Sequence, residues 1–233
     1  MRNIQSFWRM RLKIGSLSTN TNLRNTLFFN RTSSVFGGEY VYQLTGSKTL
    51  LATGFDARSN EYHEISLRWN ASKSFTVEGK AQQGSKISEV DYTSGRNYQL
   101  TYYFVQPTLI FQPGTDFRVS LEGRYVRKEN DVMYGGEKAS ITELGSTIKY
   151  NQAEKGSFQG GIKWLNISYD GVTGSALGFE MLEALKPGVN FTWNIGYQRS
   201  LSKNLQLNIQ YNGRKSEGTK TIHSGGMEVR ALF

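Results

Sequence analysis

Apolar and polar residues alternate along most of this 233-residue chain. Successive strand side chains point to opposite faces, so strict alternation marks a strand with one apolar and one polar face. Val189, Phe191, Trp193, Ile195 and Tyr197 alternate with Asn190, Thr192, Asn194, Gly196 and Gln198, and Leu205, Leu207, Ile209 and Tyr211 alternate with Gln206, Asn208, Gln210 and Asn212. Phe117, Val119, Leu121, Gly123 and Tyr125 interleave with Arg118, Ser120, Glu122, Arg124 and Val126, and Trp8, Met10, Leu12 and Ile14 with Phe7, Arg9, Arg11 and Lys13. The pattern predicts about twelve strands, near 3–15, 21–31, 35–45, 57–70, 74–87, 96–112, 115–128, 138–151, 156–169, 188–200, 204–213 and 220–233, with boundaries good to roughly ±2–4 residues. Gly178 to Lys186, stopped by Pro187-Gly188, is the one helix candidate, readable equally as strand edge and loop with a plug-like role.

The connections between these segments fall into two sets. Ala71 to Ser74, Pro113 to Thr115, Gln152 to Lys155 and Leu201 to Lys203 are short, whereas Ser88 to Gly95, Glu129 to Glu137, Asp170 to Pro187 and Gly213 to Thr219 are longer and more polar. Short and long alternate, as in an up-and-down antiparallel sheet whose two rims face different surroundings.

An alternating sheet can turn its apolar face inward, as in a soluble sandwich or barrel, or outward to lipid around a wet interior. Three features favour lipid. Several segments are longer than the ~9–11 residues that span a bilayer. Aromatics gather near strand ends: Tyr98, Tyr125, Tyr150, Tyr169, Tyr197 and Tyr211, with Phe75, Phe117, Phe158 and Phe191 assigned to the short-turn rim;. The polar face carries amides, hydroxyls and charges of both signs, which suits an interior where an unpaired charge would be costly.

Composition fits the same picture. The chain has no cysteine, 25 glycines, 3 prolines, 13 Tyr, 13 Phe and 4 Trp, and only 37% hydrophobic residues, at a mean hydropathy of −0.50. A disulfide-stapled module and a thiolate metal protein are excluded. The longest apolar runs, such as Leu27 to Phe29 and Tyr102 to Val105, are far too short for a transmembrane helix;. Residues 1–15 carry charge but lack the apolar run of a signal peptide;. The chain therefore reads as one transmembrane domain over 1–233, processed or forming the C-terminal part of a longer protein, with twelve strands that close alone or within a larger barrel.

The net charge of +9 is spread over strands and loops rather than gathered into a nucleic-acid-binding stripe, so no nucleic-acid partner is expected. On the strand model Arg9, Arg11, Lys13, Glu64, Arg68, Glu78, Lys80, Arg118, Glu122 and Arg124 line the interior, plugging a narrow pore or biasing a wide one toward anions. Arg58, Arg96, Arg127, Lys128, Arg214, Lys215 and Lys220 fall at the outer rim, where they would meet lipopolysaccharide phosphates. His63 and His223, the only histidines, fall on the apolar face toward the long-loop rim. They suit an interfacial role better than catalysis. Glu180 and Glu183 in the longest loop could hold a cation, but two carboxylates at that spacing are common by chance. No catalytic, cofactor or metal site is expected, and the glycine pairs lack a phosphate-loop framework.

The last strand places His223, Gly225, Met227, Val229, Ala231 and Phe233 on one face and ends on the aromatic. This resembles the C-terminal sorting signal of bacterial outer-membrane β-barrels, which implies that Met227, Val229, Ala231 and Phe233 are read by the barrel-assembly machinery. Residues 179–233, from FEMLEALKPG to EVRALF, resemble the C-terminal barrel of large outer-membrane proteins of the Bacteroidetes type. The resemblance implies location and fold, not substrate. The expectation is an all-β, antiparallel up-and-down transmembrane β-barrel in the bacterial outer membrane, acting in transport, secretion or assembly, with lipid and envelope proteins as partners. The competing expectation is a non-conducting barrel that anchors or scaffolds other proteins.

Overall fold

A computed structural model describes residues 18–153 and 155–231. It holds one antiparallel sheet of eleven strands in chain order: β1 (Ser18–Phe29), β2 (Phe36–Leu51), β3 (Gly54–Asn70), β4 (Phe75–Val90), β5 (Tyr98–Phe111), β6 (Phe117–Asn130), β7 (Lys138–Gln152), β8 (Gly156–Asp170), β9 (Gly188–Ser202), β10 (Leu205–Ser216) and β11 (Ile222–Ala231). A short helix, α1 (Ala176–Met181), lies between β8 and β9. These strands match eleven of the twelve expected from the alternation. The remaining segment, 3–15, lies outside the described residues.

Two of the predicted strands come out longer than expected. β2 and β3 run on to Leu51 and back from Gly54 through a two-residue turn, where the sequence had suggested a loop over 46–56. In Gly46 to Thr49 and Asp56 to Asn60 both faces are largely polar, so the alternation fades while backbone pairing continues. The tightest turn on the long-loop rim therefore sits beside the longer connections 91–97, 131–137, 171–187 and 217–221. At the other rim the connection 30–35 is longer than its neighbours.

Apart from a register shift between Leu205 and Gln206 at the end of the β9–β10 ladder, parity is kept across the sheet, so side chains sort onto two faces. The outer face carries Leu27, Ile65, Leu67, Val105, Leu109, Leu121, Leu144, Ile162, Ile195 and Met227, all directly or diagonally in register and most of them half exposed or more. Aromatics mark its margins. Phe36 faces Trp69, Phe75 faces Phe111, and Phe117, Tyr150, Phe158 and Tyr197 follow one another across β6 to β9 at the short-turn rim. Toward the long-loop rim lie Tyr42, His63, Tyr103, Tyr125, Trp164, Phe191, Trp193 and Tyr211. Phe191 thus belongs to the long-loop rim, because β9 enters from that side. Tyr98 and Tyr169 point to the inner face and pack on the loop after β8.

Eleven strands exceed what a twisted open sheet carries without curling. Here the polar face curls around the chain's own loop, which touches side chains from β4 through β8. Among the described residues the sheet is not closed: β1 pairs only with β2 and β11 only with β10. With eleven strands the two edges run in the same direction.

On the outer face the Trp193 indole lies over Gly213, directly opposite in the ladder, so that a Cβ at Gly213 would collide with the ring. Gly213→Val is expected to displace the indole and cost ~1–3 kcal/mol in urea unfolding from detergent, the usual range for overpacking. Gly226→Val, where an added Cβ meets nothing, should stay within about 0.5 kcal/mol of the parent.

Candidate functional site

The longest connection, 171–187, turns inward and lies on the inner face of β5 to β8. Tyr169 and Ser175 start it: the Ser175 hydroxyl donates to the Val172 carbonyl at 2.8 Å and accepts from the Gly178 N–H at 2.9 Å, capping α1. α1 is only six residues long, so its packing rather than its own hydrogen bonds keeps it helical. Leu177 and Met181 bury against Leu100 and Ala139, with Tyr98 and Tyr169 at the edge. Leu182 continues into a second cluster with Val126, Ile141, Leu165 and Ile167. At the exit, the buried Asn190 amide donates to the carbonyls of Lys186 and Gly188 at 2.8 and 3.0 Å.

Charge fixes the loop as well as apolar contact. Glu183 takes a forked pair from Arg124, at 2.9 and 3.0 Å, and a third bond at 2.9 Å from Lys128. Lys128 is buried and also donates to the carbonyls of Glu180 and Met181, at 3.2 and 3.1 Å. Glu180 pairs with Lys86 on β4. The two carboxylates read as a possible cation site thus have basic partners from the wall, and among the described residues no cluster suits a metal ion.

The pairs extend into a network across three strands. Arg124 reaches Glu143 at 3.3 Å, and Lys163 bridges Glu143 and Glu122 at 2.7 and 2.9 Å. Glu122 stands on β6 and Lys163 on β8, and the β7 residue between them is Gly145. A Cβ at Gly145 would meet the Glu122 carboxylate at 2.8 Å. The missing side chain lets the pair span two strands. Glu143, 4% exposed, is the most enclosed member. Removing Lys163 or Arg124 would strand this enclosed carboxylate.

Glu183 and Ala184 sit at φ 53° and 61°, the left-handed region, which costs a non-glycine residue roughly 1–2 kcal/mol. The strained turn directs the Glu183 carboxylate onto Arg124 and Lys128. Beside this clamp, a cleft of about 350 Å³ is lined by Asn60, Tyr62, Glu64, Gln82, Lys86, Tyr102, Arg124, Lys128 and Glu183. Lys80 pairs with Glu64 at 3.2 Å. Toward the short-turn rim a larger cleft, about 500 Å³, takes in Arg31, Glu39, Arg68, Glu78, Lys80 and Gln106.

The structure places the interior residues expected from sequence as follows. Glu64, Arg68, Glu78, Lys80, Arg118, Glu122 and Arg124 all lie on the inner face, and Arg68 donates to the Ser33 carbonyl at 3.1 Å. Arg9, Arg11 and Lys13 lie outside the described residues. Among the rim residues, Arg127 and Lys215 are on the outer face, and Arg96 and Lys220 are in connections of the long-loop rim. Arg58 and Arg214 share the inner face, Arg58 paired with Asp56 at 3.2 Å. Lys128 is the correction: it is not at the rim but beneath the loop, because its even position follows Arg124 and Val126 inward. Met227, Val229 and Ala231 share the outer face of β11, and Phe233 lies outside the described residues.

Both histidines lie on the outer face, each against a tyrosine hydroxyl. His63 Nδ1 lies 2.6 Å from the Tyr40 hydroxyl and His223 Nδ1 lies 2.7 Å from that of Tyr211. Sequence reasoning missed Lys86, Glu143 and Lys163. It also missed the apolar patch under the loop, although Tyr102 to Val105 signalled it: a continuous apolar run marks a strand covered on both faces.

Burial alone would raise the Glu183 carboxyl, but the bonds and charges of Arg124 and Lys128 outweigh it and hold it at about 2. A carboxyl held below its unfolded value stabilises docking in full above pH ~4.5, and that contribution is lost as pH falls toward 2. Hydrogen exchange at the Leu182 amide, bonded to the Gly178 carbonyl, should therefore stay slow from pH 7 to about 4.5 and gain opening below it. Glu183→Gln should raise the opening fraction at neutral pH and remove this contribution to its acid dependence.

No family model matches the sequence, and no curated protein matches it. Among solved structures the chain is similar to the NanC porin, with a TM-score of 0.42 and 10% identity over 91% of this chain and 99% of that one. It is also similar to the KdgM porin, solved in complex with disordered oligogalacturonate, with a TM-score of 0.35 and 11% identity over 92% and 99%. The likeness is too distant to assign fold detail or solute. The resemblance of residues 179–233 to large Bacteroidetes-type proteins has no counterpart in these two matches.

Proposed function

We propose that this chain is an integral β-barrel of the bacterial outer membrane that forms a solute channel narrowed by the loop 171–187. The observation that carries the reading is the partition of side chains: an exposed apolar outer face edged by aromatics, opposite an inner face of paired charges and amides. Phe111 and Tyr103 mark the two margins on β5. The roughly eight residues between them rise ~27 Å, or ~20 Å at a tilt near 40°, close to the ~25 Å apolar band of such barrels. A soluble protein seldom exposes an apolar area of this extent.

Closure needs one more strand. β1 and β11 run the same way, so a single strand antiparallel to both completes the ring, and the alternation of Trp8, Met10, Leu12 and Ile14 with Arg9, Arg11 and Lys13 supplies a candidate in residues 3–15. Its basic residues would then join the interior set. Arg96, Arg127, Lys215 and Lys220 remain candidates for lipopolysaccharide phosphates, and the last strand for the assembly machinery. The docked loop supports the second reading, a non-conducting barrel that scaffolds envelope partners.

Planar-bilayer recording of the full chain separates the two readings. A channel should conduct with an anion preference that falls when Arg118 and Arg124 are replaced by Gln. Absence of any conductance, also in a Glu180→Gln/Glu183→Gln variant, would leave the scaffold. Purification of a folded chain without detergent would overturn the membrane reading itself.

A further inference from the structure

Arg124, Lys128 and Lys86 gather around two carboxylates of the same chain, Glu183 and Glu180. Arg124 offers its two terminal nitrogens as a fork to Glu183, Lys128 adds a third donor to the same carboxylate, and Lys86 holds Glu180. A planar fork matches carboxylate and phosphate oxygens alike. The donors stand on rigid paired backbone, Lys86 in β4 and Arg124 and Lys128 in β6, whereas the acceptors stand on a loop. The aromatic faces of Phe104 and Tyr102 lie under the Arg124 and Lys86 head groups, at 5.5 and 5.8 Å. An adjoining cleft of about 350 Å³ takes in Arg124, Lys128 and Lys86, with Asn60, Tyr62 and Gln82 as neutral hydrogen-bonding groups.

The loop is held in place against its own backbone. Glu183 and Ala184 are both left-handed, a conformation that persists because Arg124 and Lys128 capture the carboxylate. An occupant that takes over those donors releases the strain along with the ion pairs.

We propose that Arg124, Lys128 and Lys86 form a binding site for small solutes bearing two or more carboxylate or phosphate oxygens, and that Glu183 and Glu180 occupy it as an internal substitute, so that solute binding and loop docking exclude each other. The site rests on the channel reading only for its route of access. A solute entering the cleft displaces the Glu183 carboxylate, and the loop leaves the wall with Met181 and Leu182. The same anion that passes therefore opens its own path.

The chain has no cysteine, so a single Met181→Cys substitution, at a position 0% exposed when docked, reports loop release by its rate of labelling with a polar maleimide. The folded full-length protein in detergent would be titrated with citrate, inorganic phosphate and glucose, at fixed ionic strength and pH 7. Citrate or phosphate should accelerate labelling saturably, about tenfold at plateau, while glucose leaves it unchanged. Whichever of the two anions saturates at lower concentration identifies the carboxylate or the phosphate source. In the Glu183→Gln background labelling should start fast, and in Arg124→Gln it should start fast and ignore both anions. Citrate binding to the Glu183→Gln protein by calorimetry, tighter than to the parent, checks the competition without the cysteine.

Labelling that does not respond to either anion, or that follows sodium chloride equally, overturns the proposal. Anion-responsive labelling in a protein that never conducts would keep the site and overturn the channel. Conductance with unresponsive labelling would do the reverse.

Discussion

Lateral backbone pairing between neighbouring strands is the constraint on which the rest of this molecule depends. Each strand from β2 to β10 is bonded on both sides, so backbone donors and acceptors are met within the sheet without solvent. Pairing without slippage locks parity, and parity decides which side chains look outward. A one-residue slip of β6 would send Leu121 and Tyr125 inward and Glu122 and Arg124 into the apolar face. The apolar rows of the outer face and the charges of the inner face are two consequences of the same register.

The inner face then has two problems of its own, and one loop answers both. Val126, Ile141, Leu165 and Ile167 leave an apolar patch among charged residues, which Leu182 and Leu185 cover, while α1 covers Leu100 and Ala139 beside it. Arg124 and Lys128 stand in a wall where an unpaired charge is costly, and Glu183 pairs with both, with Glu143 as a second carboxylate for Arg124. Apolar burial brings the loop to the wall and the ion pairs fix its position. The left-handed turn at Glu183 and Ala184 is the local cost of meeting both demands with one short segment.

The interior is unequal around its circumference. β6 to β8 carry the charge network and the loop packs over β5 to β8, whereas the inner positions of β9 and β10 are mainly amides and hydroxyls: Thr192, Asn194, Gln198, Asn208, Gln210 and Asn212. Gly145 permits the longest charged bridge, from Glu122 to Lys163, by leaving room across β7. In such an interior the charge is set by position rather than spread evenly. The balance of +9 describes the chain but not this inner face.

The period of two was legible in the sequence, and with it eleven strands, their order, the two rims and the face of each lined-up residue from Arg68 to Arg124. It worked because an apolar and a polar face on one sheet impose a strict alternation. Where both faces of β2 and β3 are polar, the alternation fades and the strands run further than it marks. Lys128 was misplaced because closeness to a long loop was taken for exposure, while its parity with Arg124 pointed inward. The short helix and the inward course of 171–187 could be read only as one option of two. Loop direction depends on contacts far apart in sequence: Leu182 with Val126, Glu183 with Arg124, Glu180 with Lys86. By itself the sequence determined the strands and their faces, since these follow from local parity. Only the tertiary structure decided what fills the inner face, since that follows from curvature, which brings β4 to β8 around one loop.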